Sequence, residues 1–121
     1  MVKLSLDYIA GFFDGEGSFV VKISRDDRYR SGYHVVIKVT ITQKDRGILE
    51  MIKETLGIDA KIYFHSRSRD KLWYLEIYRL DDVRKFVNLV CPRLVLKKDE
   101  CARVSKIITL MDEGAHLSPG H

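Results

Sequence analysis

The chain has 121 residues, of which 45% are hydrophobic and 31% charged, a composition typical of one globular domain rather than of a disordered chain. No segment approaches the roughly 18 consecutive apolar residues of a membrane-spanning helix, and the first residues lack the pattern of a signal peptide. The net charge of +4 is too small by itself to identify a partner, so we expect only a soluble intracellular protein, cytoplasmic or organellar, with one domain over residues 1–113, a flexible tail over 114–121 and no membrane partner.

The first half of the chain reads as a helix, two strands and a second helix. Ser5 can cap a short apolar helix over residues 6–13, which runs into the sequence DGEG. Apolar and polar residues alternate over residues 18–24, and more clearly over 34–42, which predicts a hairpin with one buried face. Asp45 then caps a helix that Gly57 ends.

The second half repeats the order of strands followed by helices. Residues 60–66 and 71–78 predict a second hairpin, whose register is open because Trp73 and Tyr74 could each lie on either face. Asp81 or Asp82 begins a helix that ends at Pro92, and a last helix covers about 98–111. The predicted fold class is therefore α+β, in the order αββαββα with the helix over about 98–111 after it.

Two cysteines occur in this second half, Cys91 and Cys101. They have neither the CxxC spacing nor a nearby histidine pair, and each lies in a helical apolar pattern. We therefore expect buried reduced thiols rather than a disulfide or a metal site.

Basic residues are concentrated in the segments that form the predicted hairpins. Residues 22–46 carry seven Lys or Arg against three Asp or Glu, and residues 60–79 carry five against two. An antiparallel four-stranded sheet with helices on one face leaves the other face open, and a basic open face is a plausible saddle for double-stranded DNA, although it could also be an ordinary solvated surface. The candidate DNA contacts are Lys22, Ser24, His34, Lys38, Thr40, Thr42, Lys61, Tyr63, Arg67 and Lys71.

The first helix is apolar on nearly all sides and must therefore be buried on more than one face. Leu6, Ile9 and Phe13 can face the chain's own core. A second face would let another helix approach closely, because it holds two small residues four apart. This predicts a helix-to-helix contact in a homodimer, through Tyr8, Gly11, Phe12 and Gly15; coverage of both faces within one chain is the alternative.

Two acidic residues follow this helix in an unfavourable place. Asp14 and Glu16 lie at the negative end of the helix dipole, where a cation would offset their charge. The Glu16 carboxylate and the Gly15 carbonyl are suitable ligands for Mg²⁺. By spacing alone, the sequence DGEG could equally be a simple helix stop and turn.

The nine residues from Ile9 to Gly17, IAGFFDGEG, resemble the signature of the LAGLIDADG homing endonucleases, and the likeness continues through Ser18 and Phe19. Thr42-Gln43-Lys44 and the segment PRLVLKK at 92–98 resemble later landmarks of that family. The resemblance covers nearly the whole chain in the order of its elements. It implies the homing-endonuclease fold, with the sheet as a DNA-binding saddle.

The resemblance also implies roles for individual residues. Glu16 matches the acid that binds the catalytic metals, although many members have Asp there, and Asp14 matches an acid that supports the helix end. Gln43 and Lys97 match polar residues near the scissile phosphates. A further basic residue of some relatives is Gly47 here, and whether Arg46 replaces it is open.

The activity implied is hydrolysis of both strands of a long pseudo-palindromic DNA site by a C₂ homodimer, with short 3′ overhangs. Mg²⁺ is the expected cofactor, Mn²⁺ is expected to substitute for it, and Ca²⁺ is expected to support binding without cleavage. Two alternatives stay open: an intron RNA maturase or a non-cleaving DNA-binding protein of the same fold. A sheet-based RNA-binding module is more remote, because residues 34–42 present no stacking aromatic side chain.

Overall fold

A computed structural model of the chain describes residues 3–28, 32–65 and 71–113. The elements follow the predicted order with one 3₁₀ turn added before the last helix: α1 (Leu6–Glu16), β1 (Gly17–Arg25), β2 (Tyr33–Gln43), α2 (Arg46–Leu56), β3 (Lys61–His65), β4 (Leu72–Ile77), α3 (Leu80–Val90), the 3₁₀ turn (Cys91–Arg93) and α4 (Lys98–Asp112). The predicted tail, residues 114–121, lies outside the described residues. None of the helices in the described ranges is long and apolar enough to cross a membrane.

The four strands form one antiparallel sheet in the order β1-β2-β4-β3. The central strands, β2 and β4, therefore come from different hairpins. Phe19 pairs with Val39 and Val39 with Ile77, so that one face is apolar across three strands. This is the α+β fold that the alternation of residues 34–42 predicts.

The hydrophobic core lies between this apolar face and the helices. Each of the four helices and both central strands contribute fully or almost fully buried side chains, such as Phe13, Ile52, Phe86 and Val104. The described part of the chain buries no polar or charged residue. The core thus holds the helices and the sheet together by apolar packing alone, and the chemistry of the protein is left to its surface.

Helix α2 has the ends that the sequence predicts. The Asp45 carboxylate accepts a hydrogen bond of 2.8 Å from the backbone N–H of Gly47, and Gly57 closes the helix in the left-handed conformation. Helix α3 differs, because it begins one residue before Asp81 and its N-cap, Arg79, makes no side-chain capping bond. Asp81 and Asp82 instead lie in its first turn, where the helix dipole favours acidic side chains.

The expectation of reduced thiols is wrong. Cys91 and Cys101 form a disulfide, with their Cα atoms 6.1 Å apart. Sequence spacing of ten residues did not indicate this pairing, because the 3₁₀ turn and the segment after it fold back to bring the start of α4 beside Cys91. Cys101 is nevertheless buried, as predicted.

Candidate active site and nucleic-acid interface

Helix α1 passes directly into strand β1 without a connecting loop. It ends at Glu16 rather than at Phe13, three residues later than predicted, and Gly17 is both its C-cap and the first residue of β1. A side chain at Gly17 would overlap the Phe13 ring. That ring is fixed between Phe19 and Phe86, at centroid distances of 5.0 and 4.9 Å. Gly17, the last glycine of the nine-residue signature, is therefore required by packing.

Asp14 joins the end of α1 to the segment that precedes α4. Its carboxylate accepts hydrogen bonds from the backbone N–H groups of Val95, at 2.8 Å, and Lys97, at 2.9 Å. Desolvation acts to raise the pKa of this carboxyl, but backbone hydrogen bonds from residues 95–97 and the positive charge of Lys97 outweigh it, so the pKa lies below its ordinary value. Asp14 thus holds a remote segment against α1 in its charged form.

Lys97 is brought to the same helix end by this contact. It is the N-cap residue of α4, and its Nζ donates a hydrogen bond of 2.7 Å to the backbone carbonyl oxygen of Asp14. The same Nζ lies 5.9 Å from the centroid of the Phe13 ring. A cation is therefore fixed at the C-terminal end of α1, where the helix dipole is negative.

Glu16 has no such partner. It is exposed, and no hydrogen bond or ion pair within the described ranges engages its carboxylate. Gly15 beside it is also exposed. Within residues 3–28, 32–65 and 71–113, no three Asp, Glu, His or Cys side chains are grouped closely enough to hold a metal ion. At the end of α1, the described residues of one chain therefore offer the Glu16 carboxylate and helix-end carbonyl oxygens. This is an incomplete set of ligands for a divalent metal.

Gln43 lies at the same end of the sheet as Glu16, because Gly17 pairs with Ile41 and Gln43 is the last residue of β2. Its Oε1 accepts a hydrogen bond of 2.8 Å from the backbone N–H of Lys44. This arrangement brings Glu16, Gln43 and Lys97 to one end of the molecule.

Arg46 lies three residues beyond Gln43 and contacts Trp73, the residue that pairs with Gln43 across the sheet. Its guanidinium carbon lies 4.7 Å from the centroid of the Trp73 ring, and its Nε donates to Glu50 at 3.1 Å. These two contacts hold the Arg46 side chain against α2 and β4, and none of its contacts among the described residues joins it to Glu16 or Lys97.

The face of α1 that carries Gly11 and Gly15 is not covered by the other residues that the structure describes. A Cβ atom added at Gly11 or at Gly15 would meet nothing within 4 Å. Tyr8 is half exposed, and its ring lies 6.1 Å from that of Phe12. These are the four residues that the sequence assigns to a dimer contact, and the opposite face of the helix is buried by Ile9, Ala10 and Phe13.

The open face of the sheet carries most of the predicted DNA contacts. The register places eight of the ten candidates on the side opposite the buried Ile37, Val39 and Ile41. They are Lys22, Ser24, His34, Lys38, Thr40, Thr42, Lys61 and Tyr63. Lys71 directly precedes β4 with a positive φ of 52°, so the strand pairing does not assign it to a face, and Arg67 lies outside the described residues.

The same face holds residues that the sequence analysis did not single out. Tyr74 faces outward, at ring-centroid distances of 5.4 Å from Tyr63 and 5.2 Å from His65. Glu76 also faces outward and forms an ion pair of 3.1 Å with Lys38. Burial raises the pKa of the Tyr63 hydroxyl, and the negative charge of Glu76 adds to this effect.

The register of β4 is what places Tyr74 and Glu76 on the open face. Trp73 pairs with Gln43 and Phe64 on the helix-covered face, so Tyr74 and Glu76 must lie on the other. Since β4 is paired with β2 rather than at the sheet edge, the open face has aromatic and acidic side chains at its centre.

The structure thus has an α+β fold. An exposed acidic residue lies at the end of a partly uncovered helix, beside the open basic face of the sheet. Residues 9–94 match the family model described as LAGLIDADG endonuclease. The chain belongs to this family. The matched range contains both the helix motif and all four strands.

Two curated proteins are similar in sequence. A probable intron-encoded endonuclease 2 of Neurospora crassa is 29% identical, over 95% of this chain and 26% of its own length. The DNA endonuclease I-CreI of Chlamydomonas reinhardtii is 27% identical, over 88% of this chain and 63% of its own length. The chain therefore spans about a quarter of the first relative and less than two thirds of the second.

Solved structures show the same fold. The archaeal intron-encoded homing endonuclease I-Vdi141I, solved in complex with DNA, has a TM-score of 0.78 at 28% identity, covering 90% of this chain and 69% of that one. The homing endonuclease I-CvuI has a TM-score of 0.74 at 21% identity, covering 91% and 69%, and was solved with a DNA target in the presence of Mg²⁺ with the DNA not cleaved.

Proposed function

We propose that this chain is a site-specific homing endonuclease that makes a double-strand break in a long pseudo-palindromic DNA target. Phosphodiester hydrolysis depends on a divalent metal and leaves short 3′ overhangs. The observation that carries this proposal is the contrast at the end of α1: Glu16 is exposed and unengaged, while Lys97 is fixed beside it by Asp14.

The site is completed by a second copy of the chain. One chain has one free carboxylate at the helix end, and cutting two strands requires two such sites. Two α1 helices can approach closely through Gly11 and Gly15, because no residue in the described ranges lies within 4 Å of a Cβ added at either position. A C₂ contact there brings Glu16 of one protomer near its counterpart in the other.

The ligands present suit a hard divalent cation. The two Glu16 carboxylates and the carbonyl oxygens of Gly15 would hold Mg²⁺, with water and scissile phosphates as the remaining ligands. When bound, the metal supplies an activated water and charge stabilisation at the leaving oxygen. Mn²⁺ should substitute, and Ca²⁺ should support binding without cleavage.

The protein's own residues do the rest of the chemistry. Lys97 Nζ stabilises negative charge on the phosphate, from a position set by its bond to the Asp14 carbonyl oxygen. Gln43 orders water at the adjoining end of β2. The open face contacts the phosphate backbone through Lys22 and Lys61 on its outer strands and reads base edges through the polar side chains of its central strands.

One observation favours a second candidate, an intron RNA maturase. Tyr63 on the outer strand β3 and Tyr74 on the central strand β4 form an aromatic pair on the open face, and aromatic side chains on the face of a sheet are typical of single-stranded RNA recognition. The two rings contact each other and His65, which leaves less of their surface for bases. The free carboxylate of Glu16 favours the nuclease.

Incubation with a defined plasmid tests the proposal. The plasmid carries the uninterrupted insertion junction of the gene that contains this coding sequence, on the proposal that the sequence lies in an intron or intein. We expect one double-strand break in Mg²⁺ and none in EDTA, with 3′ overhangs on end sequencing. An intact plasmid together with tight, selective binding of the intron RNA would instead support the maturase.

A further inference from the structure

A recess of about 450 Å³ lies on the open face of the sheet, away from the end that holds Glu16. It is lined by Val36, Lys38, Lys61, Glu76 and Tyr78. Lys38 and Glu76 come from the two central strands, and Lys61 pairs directly with Glu76 from the outer strand β3. A donor and an acceptor therefore lie side by side at the centre of a surface proposed to bind DNA.

Glu76 is unexpected on this surface. Among the strand residues that the structure describes, it is the one acidic side chain on the open face. A surface that only needed affinity for phosphates would be weakened by a carboxylate, because it neutralises a neighbouring lysine and repels the DNA backbone. The ion pair of 3.1 Å with Lys38 holds the carboxylate in place, with 17% of the Glu76 side chain exposed.

The location of the pair indicates what it contacts. Phosphates line the rims of a DNA groove, whereas base edges form its floor, which a sheet reaches through its central strands. At the floor of the major groove, cytosine presents an amino donor at N4, and guanine presents acceptors at O6 and N7. A carboxylate beside an ammonium group is complementary to that base pair.

We infer that Glu76 and Lys38 together read one C·G base pair in each half of the target, with Glu76 accepting from cytosine N4 and Lys38 donating to guanine. Lys38 lies five residues from Gln43 along β2, or about 16 Å, so the pair is read roughly five base pairs from the position opposite the end of β2. The inference rests on the proposed binding of DNA through this face.

The test measures base preference position by position. The full-length protein, in Ca²⁺, selects duplexes from a pool with a randomised central segment, and the bound and unbound fractions are sequenced. Each position of the selected consensus is then replaced by the other three base pairs, and relative affinities are measured for the wild type, Glu76→Gln and Lys38→Gln.

Glu50→Gln is the matched control, because it removes the same charge from an ion pair of 3.1 Å with Arg46 on α2, away from the open face. Thermal melting of each variant checks that it is folded. We expect Glu76→Gln to lower discrimination about tenfold at one symmetric pair of positions and to leave the others unchanged. Lys38→Gln should act at the same positions, and the control should act at none.

Two results would overturn the inference in distinguishable ways. A change of affinity that is equal at every position, or no change at all, would mean that the ion pair only organises the sheet surface, while DNA binding itself would stand. Failure of the folded wild-type protein to enrich any duplex would overturn both this inference and the proposed function.

Discussion

The last turn of α1 has two sides that differ in how they are engaged. On one side, Asp14 accepts backbone hydrogen bonds from residues 95 and 97 and holds the segment before α4. By contrast, Gly15 and Glu16 in the same turn are exposed, and a Cβ added at Gly15 would meet nothing within 4 Å among the described residues. Two carboxylates separated by a single residue therefore have different tasks, and tertiary contacts rather than residue type distinguish them. The first is a structural anchor, and the second is available for a partner chain, a metal and DNA.

Substitution of Glu16 should have the largest effect on activity. Replacing it with Gln should lower the cleavage rate at least about a thousandfold, because the variant removes a metal ligand and the negative charge that attracts the cation. The free energy of unfolding, measured by urea titration, should change by less than about 0.5 kcal/mol, since the carboxylate has no partner within the described ranges.

Glu54→Gln serves as the control for charge, because Glu54 is exposed on α2, far along the chain from the signature helix. Cleavage in Mg²⁺ by Glu16→Gln at the rate of this control would refute the assignment of Glu16 to the active site.

The open side of α1 can be tested with bulk instead of charge. Gly11→Leu should raise the dimer dissociation constant at least about a hundredfold, because the added side chain separates two helices that pack through glycine. The monomer should not lose stability, since Leu favours helix over Gly and its Cβ would meet nothing within 4 Å in the part of the chain that the structure describes.

Light scattering over a concentration series measures the assembly of this variant. Ala102→Leu, which adds an exposed Leu to α4 instead, should assemble as the wild type does. An unaltered dimer of Gly11→Leu would show that α1 is not the interface.

Substitution of Asp14, which anchors the segment before α4, should change the stability of the fold. Asp14→Ala removes the acceptor for two backbone N–H groups and should lower the free energy of unfolding by about 1–3 kcal/mol at neutral pH. Urea titration measures this, and Asp27→Ala in the exposed turn after β1 should have almost no effect. Equal stability of Asp14→Ala and the wild type would mean that the segment at 94–97 is held by other contacts.

The smallest expected effect is the pH dependence of that anchor. The pKa of Asp14 in the folded protein is lowered from 3.8, so its stabilising contribution is complete above 3.8 and is lost as pH falls through the lower folded value. The difference in stability between the wild type and Asp14→Ala should therefore shrink below about pH 4. A difference that instead widens with acid would contradict the assignment of charge to this carboxylate.

Local chemistry was enough to predict several elements. The alternation around Ile37, Val39 and Ile41 identified β2 because one of its faces is wholly buried. Asp45 and Gly57 delimited α2 because capping depends on neighbouring residues alone. Helix-dipole reasoning identified Glu16 as a candidate metal ligand, and the family resemblance assigned its role and that of Lys97.

The remainder depends on contacts between distant parts of the chain. The end of α1 was placed too early because two glycines disfavour helix, whereas the bonds from residues 95–97 to Asp14 hold its last turn. The faces of Trp73 and Tyr74 follow from the pairing of β4 with β2, which no local pattern specifies. The link between Cys91 and Cys101 likewise required the fold of the segment between them.

Helix α1 passes directly into strand β1 at Gly17. The distance from the two-fold axis proposed for the dimer to the residues of β1 is therefore fixed by their positions in the sequence. With no loop to absorb a change in length, one inserted residue after Glu16 would turn Lys22 and Ser24 toward the helices and Phe19 and Val21 toward solvent. In the proposed complex with DNA, the distance at which each half-site is read would therefore be set by the backbone at a single residue, and new targets would be reached by substitution on the strands rather than by insertion at their origin.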